Sequence, residues 1–205
     1  DMALNAHFGP REGGALVADM PVALAGAHGG NALAILQFPL GAPAASPMER
    51  LAQVMRHAAA VKTHVRQTDP DALVNYTTLV HTLPAALELL RLPSGPTLAN
   101  AVISNPGGYT EKRYVAGAEL EIGLPVSVLA PGQALNITIA TYERHLQVAF
   151  LALEASIPDV QRLADLTVAA FDELVSAADA QPRQARAQRA VRPPTRHRSP
   201  AATGR

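Results

Sequence analysis

An amphipathic stretch introduced by a helix-start signal is the feature of this sequence that most restricts its fold. The signal is Ser46-Pro47-Met48-Glu49, in which a serine N-cap precedes a proline at the first helical position and a glutamate at the third. This stretch predicts an amphipathic helix to about residue 66. Its apolar side chains recur at spacings of three and four, at Leu51, Val54, Met55, Ala58, Val61 and Val65.

Two short apolar runs near the start of the chain are bounded by Gly, Pro and Asn, which favours buried strands over helices. They cover residues 15–24 and 31–38, and Pro21 places the first near a strand end or at a sheet edge. Residues 99–104 predict another strand, which runs into a turn at residues 105–108 (Asn-Pro-Gly-Gly).

A hairpin is the clearest signal in the second half of the chain. Residues 134–142 and 146–151 alternate between apolar and polar side chains on either side of a tight connection. Ahead of them, residues 114–128 are interrupted by Gly and Pro, and we expect two short strands there. The alternation places Asn136 and Thr138 on one polar face, which either lines a wall or meets water, with water slightly favoured.

Two more helices complete the predicted layout. The first covers residues 76–91, with Pro84 weakening its middle and the Pro- and Gly-rich residues 92–96 ending it. The last opens at Pro158-Asp159 and ends near Ala178. Two strands, two helices, four or five strands and a final helix predict an α/β protein, a two-layer sandwich with a mixed sheet.

Charge divides the chain into a body and a tail. The 205 residues carry 17 basic and 17 acidic side chains, but residues 181–205 hold seven Arg and no acid. Because no apolar period survives there, burial cannot offset the entropy of ordering, and we predict a disordered Arg-rich tail over residues 179–205. Residues 15–178 are interpreted as one domain, and residues 1–14 as the end of an inter-domain segment.

The chain carries no signal for export or membrane insertion. It opens Asp1-Met2-Ala3-Leu4, without a basic and apolar leader, and its most apolar stretch, residues 14–40, is broken by polar residues. We therefore expect a soluble, cytoplasmic protein. Its opening on Asp rather than Met indicates a piece of a longer protein.

The residues show no self-contained catalytic or metal constellation. The chain has no Cys, which excludes thiolate sites and a cysteine nucleophile. His57 and His64 lie two helical turns apart, too far for one metal ion, and no HExxH motif occurs. No serine lies in a GxSxG elbow, and the Gly-rich residues 26–30 do not open a helix as a phosphate-binding loop must. We therefore assign no catalytic residue, no metal and no cofactor.

A series of short motifs nevertheless resembles one bacterial family. Residues 103–108 (ISNPGG) look like the VSNVPGP turn of the wax ester synthase/diacylglycerol acyltransferases, the WS/DGAT family. The resemblance covers about residues 15–176, and the other motifs match the C-terminal domain of that family in order and spacing. They are residues 20–24 (MPVAL), 30–31 (GN), 117–118 (GA), 125–129 (PVSVL), 132–138 (GQALNIT), 141–142 (TY) and 157–159 (IPD).

The sequence also departs from the family pattern. The turn lacks one residue, because Asn105 runs straight into Pro106, and Ala25 stands where the family has Arg. The stretch from Asp1 to Pro21 is shorter than the helix and loop of the family. The HHxxxDG motif, which carries catalysis in the family, belongs to the N-terminal half and is absent from this sequence.

The resemblance implies that this chain is the C-terminal half of an acyl-CoA-dependent O-acyltransferase that forms triacylglycerol or wax esters. It also implies half of a chloramphenicol-acetyltransferase-like fold, in which two α/β halves meet around a tunnel. In the family, the second His of HHxxxDG acts as general base on an alcohol hydroxyl, which attacks the acyl-CoA thioester. The implied partners are the N-terminal HHxxxDG half, acyl-CoA as a substrate, and diacylglycerol or a long-chain alcohol. We expect the chain alone to be inactive.

The resemblance assigns five residues to the tunnel wall. Irregular backbone beside a cleft is where ligand-facing loops belong, so the Asn-Pro-Gly-Gly turn is expected to face the tunnel. The alternative is that these residues simply make a turn. The assigned residues are Ser104, Asn105, Gly107, Gly108 and Asn136.

A non-catalytic interaction module is the second function that we consider. In that case the Arg-rich tail would pair with the phosphates of an anionic partner. The tail has no aromatic side chain on which bases could stack, so nucleic acid is not expected, and an inert, solvated tail is favoured. Peripheral association with a membrane or a lipid-droplet surface stays open.

Overall fold

A computed structural model of the chain describes residues 2–8, 15–24, 32–91 and 98–191. The predicted loop at residues 26–30, the predicted helix end at residues 92–96 and residues 192–205 of the tail lie outside the described residues. The predicted α/β class with a mixed sheet is confirmed. In chain order the elements are α1 (Met2–Phe8), β1 (Val17–Ala23), β2 (Leu33–Pro39), α2 (Pro47–Gln67), α3 (Pro70–Leu89), β3 (Ala101–Tyr109), β4 (Tyr114–Val115), β5 (Ala118–Glu119), β6 (Leu135–Tyr142), β7 (His145–Ala152) and α4 (Val160–Val191).

Five strands form one sheet in the order β2-β1-β3-β6-β7. The pairs β1–β2 and β6–β7 are antiparallel, whereas β1–β3 and β3–β6 are parallel. The register of β1 with β3 ends at Asp19, so Pro21 lies where β1 has β2 alone as its neighbour. The predicted strand end or sheet edge is therefore corrected, because Pro21 is the fifth of seven residues in an interior strand. A residue without a backbone N–H is tolerated there because the pairing with β3 has already ended.

Helices cover one face of the sheet. The core on that face contains Ala18, Phe38 and Ile137, one from each of three strands. Leu4 of α1 and Leu163 of α4 belong to the same core. Because side chains alternate along a strand, the opposite face carries a different set, which includes Asp19, Asn136 and Thr138. Helix α3 lies along the edge strand β2, where the Thr77 hydroxyl accepts a hydrogen bond from the Ile35 N–H at 3.0 Å. This contact covers an otherwise open sheet edge.

The helix-start prediction for α2 is confirmed, and the start of α3 is corrected. In α2 the Glu49 carboxylate accepts hydrogen bonds from the Ser46 N–H at 2.9 Å and from the Ser46 hydroxyl at 2.7 Å. Helix α3 begins at Pro70 rather than at residue 76. The Asp69 carboxylate caps it by accepting the N–H groups of Asp71 and Ala72 at 3.0 and 3.1 Å. Asp69-Pro70 thus repeats the start signal of α2.

Both ends of the described part of the chain are more helical than predicted. Helix α4 runs to Val191, past the predicted end near Ala178, so residues 179–191 are helical and not disordered. Ala, Gln and Arg dominate that stretch and have high intrinsic helix propensity, whereas Pro182 within it opposes a helix. Helix α1 was not predicted. It packs on α4, and the buried His7 ring lies 3.4 Å from the Asp159 carboxylate at the start of that helix.

The predicted hairpin is confirmed as β6 and β7, joined by the two-residue turn Glu143-Arg144. The two short predicted strands form a separate hairpin, β4–β5, and residues 120–134 that follow contain no strand. Within the described parts of the chain, no helix combines the length and the apolarity that crossing a membrane requires.

Candidate functional site

The Asn-Pro-Gly-Gly segment is a bulge inside strand β3, and the predicted turn is therefore wrong. Strand β3 pairs with β6 at Ser104–Thr138 and again at Gly107–Ala140, so three steps along β3 match two along β6. The extra residue is the signature of a β-bulge, which kinks a strand without ending it. The chain continues in strand form to Tyr109.

The sequence of the segment accounts for the bulge. The Asn105 side-chain oxygen accepts a hydrogen bond from the Gly107 N–H at 3.0 Å, which closes a local Asx-type turn. Pro106 has no N–H that would need a ladder partner. Gly107 adopts a φ of +92°, which side chains disfavour, and Gly108 lies against the backbone of Thr141. Each residue type thus suits its position in the bulge.

The bulge opens onto a cavity of about 370 Å³, which we call the motif pocket. Residues 106–109 of β3 and 140–142 of β6 form one side, and Leu120 and Gly123 form the other. Tyr109 and Tyr142 are the titratable side chains among these lining residues. The pocket therefore offers backbone, small side chains and two phenol rings.

Tyr142 links the side of the motif pocket that contains Leu120 to the sheet. Its buried hydroxyl donates a hydrogen bond to the Leu120 carbonyl at 2.6 Å and accepts one from the Arg113 N–H at 3.1 Å. The Arg113 guanidinium lies 4.3 Å from the centre of the Tyr109 ring, a cation–π distance. The β4–β5 hairpin is thus held beside the pocket by one side chain of β6.

An exposed ion pair stabilises the same hairpin. Lys112 and Glu119 form a hydrogen-bonded ion pair across it. The hydrogen bond and the charge of Glu119 raise the pKa of Lys112 above its ordinary value. The charges of these two residues therefore compensate each other on the β4–β5 hairpin.

The five sequence-assigned residues divide among three places. Gly107 and Gly108 line the motif pocket, whereas Ser104 and Asn105 precede it along β3 and are not among its lining residues. Asn136 lies farther along the sheet and is 5% exposed, as is Thr138, so the expectation that this face meets water is wrong. The Thr138 hydroxyl donates to the Asn136 side-chain oxygen at 2.9 Å, and the Asn136 amide reaches the Val128 carbonyl at 3.4 Å.

The segment from Leu120 to Ala130 causes this burial. It crosses the strand face opposite the helices, with Gly123, Pro125 and Ser127 partly buried against the molecule. Leu120, Tyr109 and Tyr142 line the motif pocket but were not among the residues predicted from the sequence. The sequence does contain a signal for the covering segment. Along it, apolar side chains alternate with Gly, Pro and Ser, which is typical of an extended chain that lies on a surface.

The same segment carries a row of exposed apolar side chains between residues 122 and 128. They are Ile122, Leu124, Val126 and Val128, which we call the outer ribbon.

The motif pocket contains no arrangement for acid–base or metal chemistry. The Tyr142 hydroxyl is already bonded to two backbone groups. Among the residues that the structure describes, no three His, Asp or Glu side chains converge as a metal site would require. These residues can therefore provide a surface of defined shape against which a ligand packs.

Comparison with known proteins identifies the group to which these features belong. The sequence model of the WS/DGAT C-terminal domain matches residues 29–175. A Mycobacterium tuberculosis protein named as a probable diacylglycerol O-acyltransferase, Tgs4, is 38% identical over 166 residues, which are 78% of this chain and 34% of that protein. The O-acyltransferase WSD of Acinetobacter baylyi is 34% identical over 119 residues, which are 57% of this chain and 26% of WSD. The chain spans about a third of the length of curated relatives such as Tgs4.

A solved structure agrees with the sequence comparison. The wax ester synthase/diacylglycerol acyltransferase of Marinobacter aquaeolei VT8 superposes with a TM-score of 0.66 and 28% sequence identity. The match covers 87% of this chain and 41% of the Marinobacter chain. The sheet and helices described above therefore correspond to less than half of a larger structure.

Proposed function

The chain belongs to the WS/DGAT C-terminal domain family, and from this membership we propose that it is the C-terminal half of an acyl-CoA-dependent O-acyltransferase that forms triacylglycerol or wax esters. The observation that carries the proposal is the motif pocket. A family-like segment, residues 103–108, is shaped into a bulge that opens a cavity in a sheet matching an acyltransferase of known structure. In this proposal the pocket supplies part of a substrate wall.

The catalytic base is proposed to come from an N-terminal HHxxxDG half. The lining of the motif pocket lacks a base, which supports a division of labour between two halves. A base on that half would take the proton of the acceptor hydroxyl, and the alkoxide oxygen would attack the thioester carbon of acyl-CoA. The bond between carbonyl carbon and sulfur then breaks, and the protonated base returns its proton to the leaving sulfur. Coenzyme A thus leaves as its thiol, and an ester is formed. The acceptor is diacylglycerol or a long-chain alcohol.

The outer ribbon supports the need for a second half. Its four side chains are exposed by 62%, 65%, 72% and 78% in chain order. Contiguous exposed apolar side chains mark surfaces that another molecule or domain covers. We propose that the N-terminal half covers the ribbon and that the isolated chain self-associates through it. A cytoplasmic protein with peripheral attachment to a membrane or lipid droplet is part of the same proposal.

A chimera tests the proposed function. The matching C-terminal part of the Marinobacter enzyme is replaced by residues 1–205, and transfer from palmitoyl-CoA to hexadecanol or dioleoylglycerol is followed by thiol release. We expect no transfer by the chain alone or by the Marinobacter N-terminal part alone, and transfer by the chimera. Activity of the isolated chain would overturn the assignment of the base to the other half. A folded but inactive chimera would instead favour the non-catalytic module.

A further inference from the structure

A second cavity lies on the helical face of the sheet, opposite the face that carries Asn136 and Thr138. It has a volume of about 310 Å³ and lies between helices α1, α2 and α4 and strands β3, β6 and β7. We call it the helix-face cavity. The side chains that line it include Leu4, Val54, Ile103, Ile139, Phe150 and Phe171.

The lining of the helix-face cavity is almost entirely hydrocarbon. Arg50 and Thr167 are the two polar residues in it, and both have polar partners within the protein. The Thr167 hydroxyl donates to the Leu163 carbonyl at 2.8 Å, and the Arg50 Nε donates to the Ala45 carbonyl at 3.1 Å. A ligand that needs several hydrogen bonds would lose those it makes to water, so the cavity selects against polar groups.

The cavity has a buried floor and an open mouth. Leu4 and Leu163 at the floor are 3% and 0% exposed, whereas Phe171 at the mouth is 59% exposed. Leu51 and Leu146 are the other exposed residues at the mouth. An apolar ligand can therefore enter from solvent and leave one end outside.

We infer that the helix-face cavity binds one linear aliphatic chain, with the polar end of the molecule left at the mouth. Engineered apolar cavities of about half this volume already take up small hydrophobic molecules. A methylene group occupies about the volume of a water molecule in the liquid, about 30 Å³, so the cavity holds roughly ten carbons. In the context of the proposed function, on which this identification of the ligand rests, the chain belongs to the acyl donor or to the alcohol acceptor.

Methyl NMR on the intact 205-residue chain tests the inference without any enzyme assay. Sodium octanoate, decanoate and dodecanoate are titrated into protein labelled at the isoleucine methyl groups. We expect the signals of Ile103, Ile137 and Ile139 to shift and the Kd to fall about fourfold per methylene, levelling off beyond about ten carbons. Parallel titrations with decanol and decanoyl-CoA distinguish the acceptor from the donor as the source of the chain.

A variant whose new side chain fills the cavity and a matched variant at the surface control the measurement. Ala170 lines the helix-face cavity and its neighbour Ala169 is exposed, so Ala170→Phe should weaken decanoate binding at least about tenfold and Ala169→Phe should leave it unchanged. Absence of shifts at the three isoleucines, or unaltered binding by folded Ala170→Phe, overturns the inference. If Ala170→Phe does not fold, the chain-length series on the unaltered protein decides. Because no turnover is measured, failure here is distinct from failure of the proposed function.

Discussion

Gly108 lies against the backbone of Thr141 so closely that no other residue fits its position. A Cβ atom at residue 108 would lie 2.6 Å from the Thr141 carbonyl carbon and 2.6 Å from its amide nitrogen. These backbone atoms of β6 cannot yield as the tip of a side chain can. Gly107, one residue earlier, has open space around it but a φ of +92°.

This difference between neighbouring glycines makes the first prediction. Gly107→Ala should cost about 1 kcal/mol of unfolding free energy, because only backbone strain opposes it. Gly108→Ala should cost about 3 kcal/mol or more, because β3 and β6 must separate to admit the methyl group. Urea unfolding of the two variants measures both values. Equal costs would contradict the close approach of the two strands.

Thr138→Val makes the second prediction. The valine keeps the shape of threonine but removes the hydroxyl that donates to the buried Asn136 side-chain oxygen at 2.9 Å. Leaving that oxygen without a donor should lower the unfolding free energy by about 1–3 kcal/mol. Thr110→Val, at an exposed position, is the matched control and should be nearly neutral. Adding Asn136→Leu to Thr138→Val should cost less than the sum of the single changes, because the stranded acceptor is removed. Equal effects of the two threonine changes would rule out the buried pair.

The third prediction concerns Asn105. Its side chain lies outside the motif pocket but holds the bulge through the Gly107 N–H at 3.0 Å, so it can act on substrate only by positioning the glycines. In the active chimera, Asn105→Ala should lower kcat/KM by up to about 100-fold while the thermal midpoint changes little. Asn75→Ala on α3 should leave both unchanged. Wild-type kinetics for Asn105→Ala would leave the bulge with a purely structural role.

Self-association through the outer ribbon is the fourth prediction. A fully buried Leu or Val stabilises a contact by about 2 kcal/mol, so Leu124→Ser with Val126→Ser should raise the dimer Kd of the isolated chain at least about tenfold. Sedimentation equilibrium measures this constant. Leu89→Ser with Leu90→Ser changes two similarly exposed side chains, the last residue of α3 and the one after it, and serves as the control. An equal effect of both pairs would mean that association is not specific to the ribbon.

The fifth prediction is a pH dependence at the start of α2. Hydrogen bonds from the Ser46 hydroxyl and, second, from its N–H lower the pKa of Glu49 below its ordinary value of 4.5. A folded-state pKa below the unfolded value means that the stabilisation is present above pH 4.5 and is lost as the pH falls through the folded-state pKa. The difference in unfolding free energy between wild type and Glu49→Gln should therefore be present at neutral pH and shrink below pH 4.5.

Ser46→Ala provides the control for this titration. It removes the larger of the two causes of the pKa shift and should reproduce part of the same pH-dependent difference. A constant difference between wild type and Glu49→Gln from neutral to acidic pH would contradict the assignment.

Local chemistry was readable from the sequence wherever one short segment contains the whole cause. Ser46-Pro47 and Glu49 specify the start of α2 through contacts within four residues, and the alternation around Glu143-Arg144 specifies the β6–β7 hairpin. The same signal at Asp69-Pro70 was equally local and was missed. The family resemblance also belongs to the sequence, because it rests on the order of short motifs.

Only the tertiary structure decided what happens between distant segments. Residues 105–108 look like a turn by composition, yet they stay in the sheet because β6 resumes pairing beyond the bulge. Asn136 and Thr138 look like a water-facing stripe, yet the segment from Leu120 to Ala130 covers them and bonds to Asn136 at Val128. Neither outcome could be read from a strand alone, because period-two alternation tells which side chains share a face but not what lies against that face.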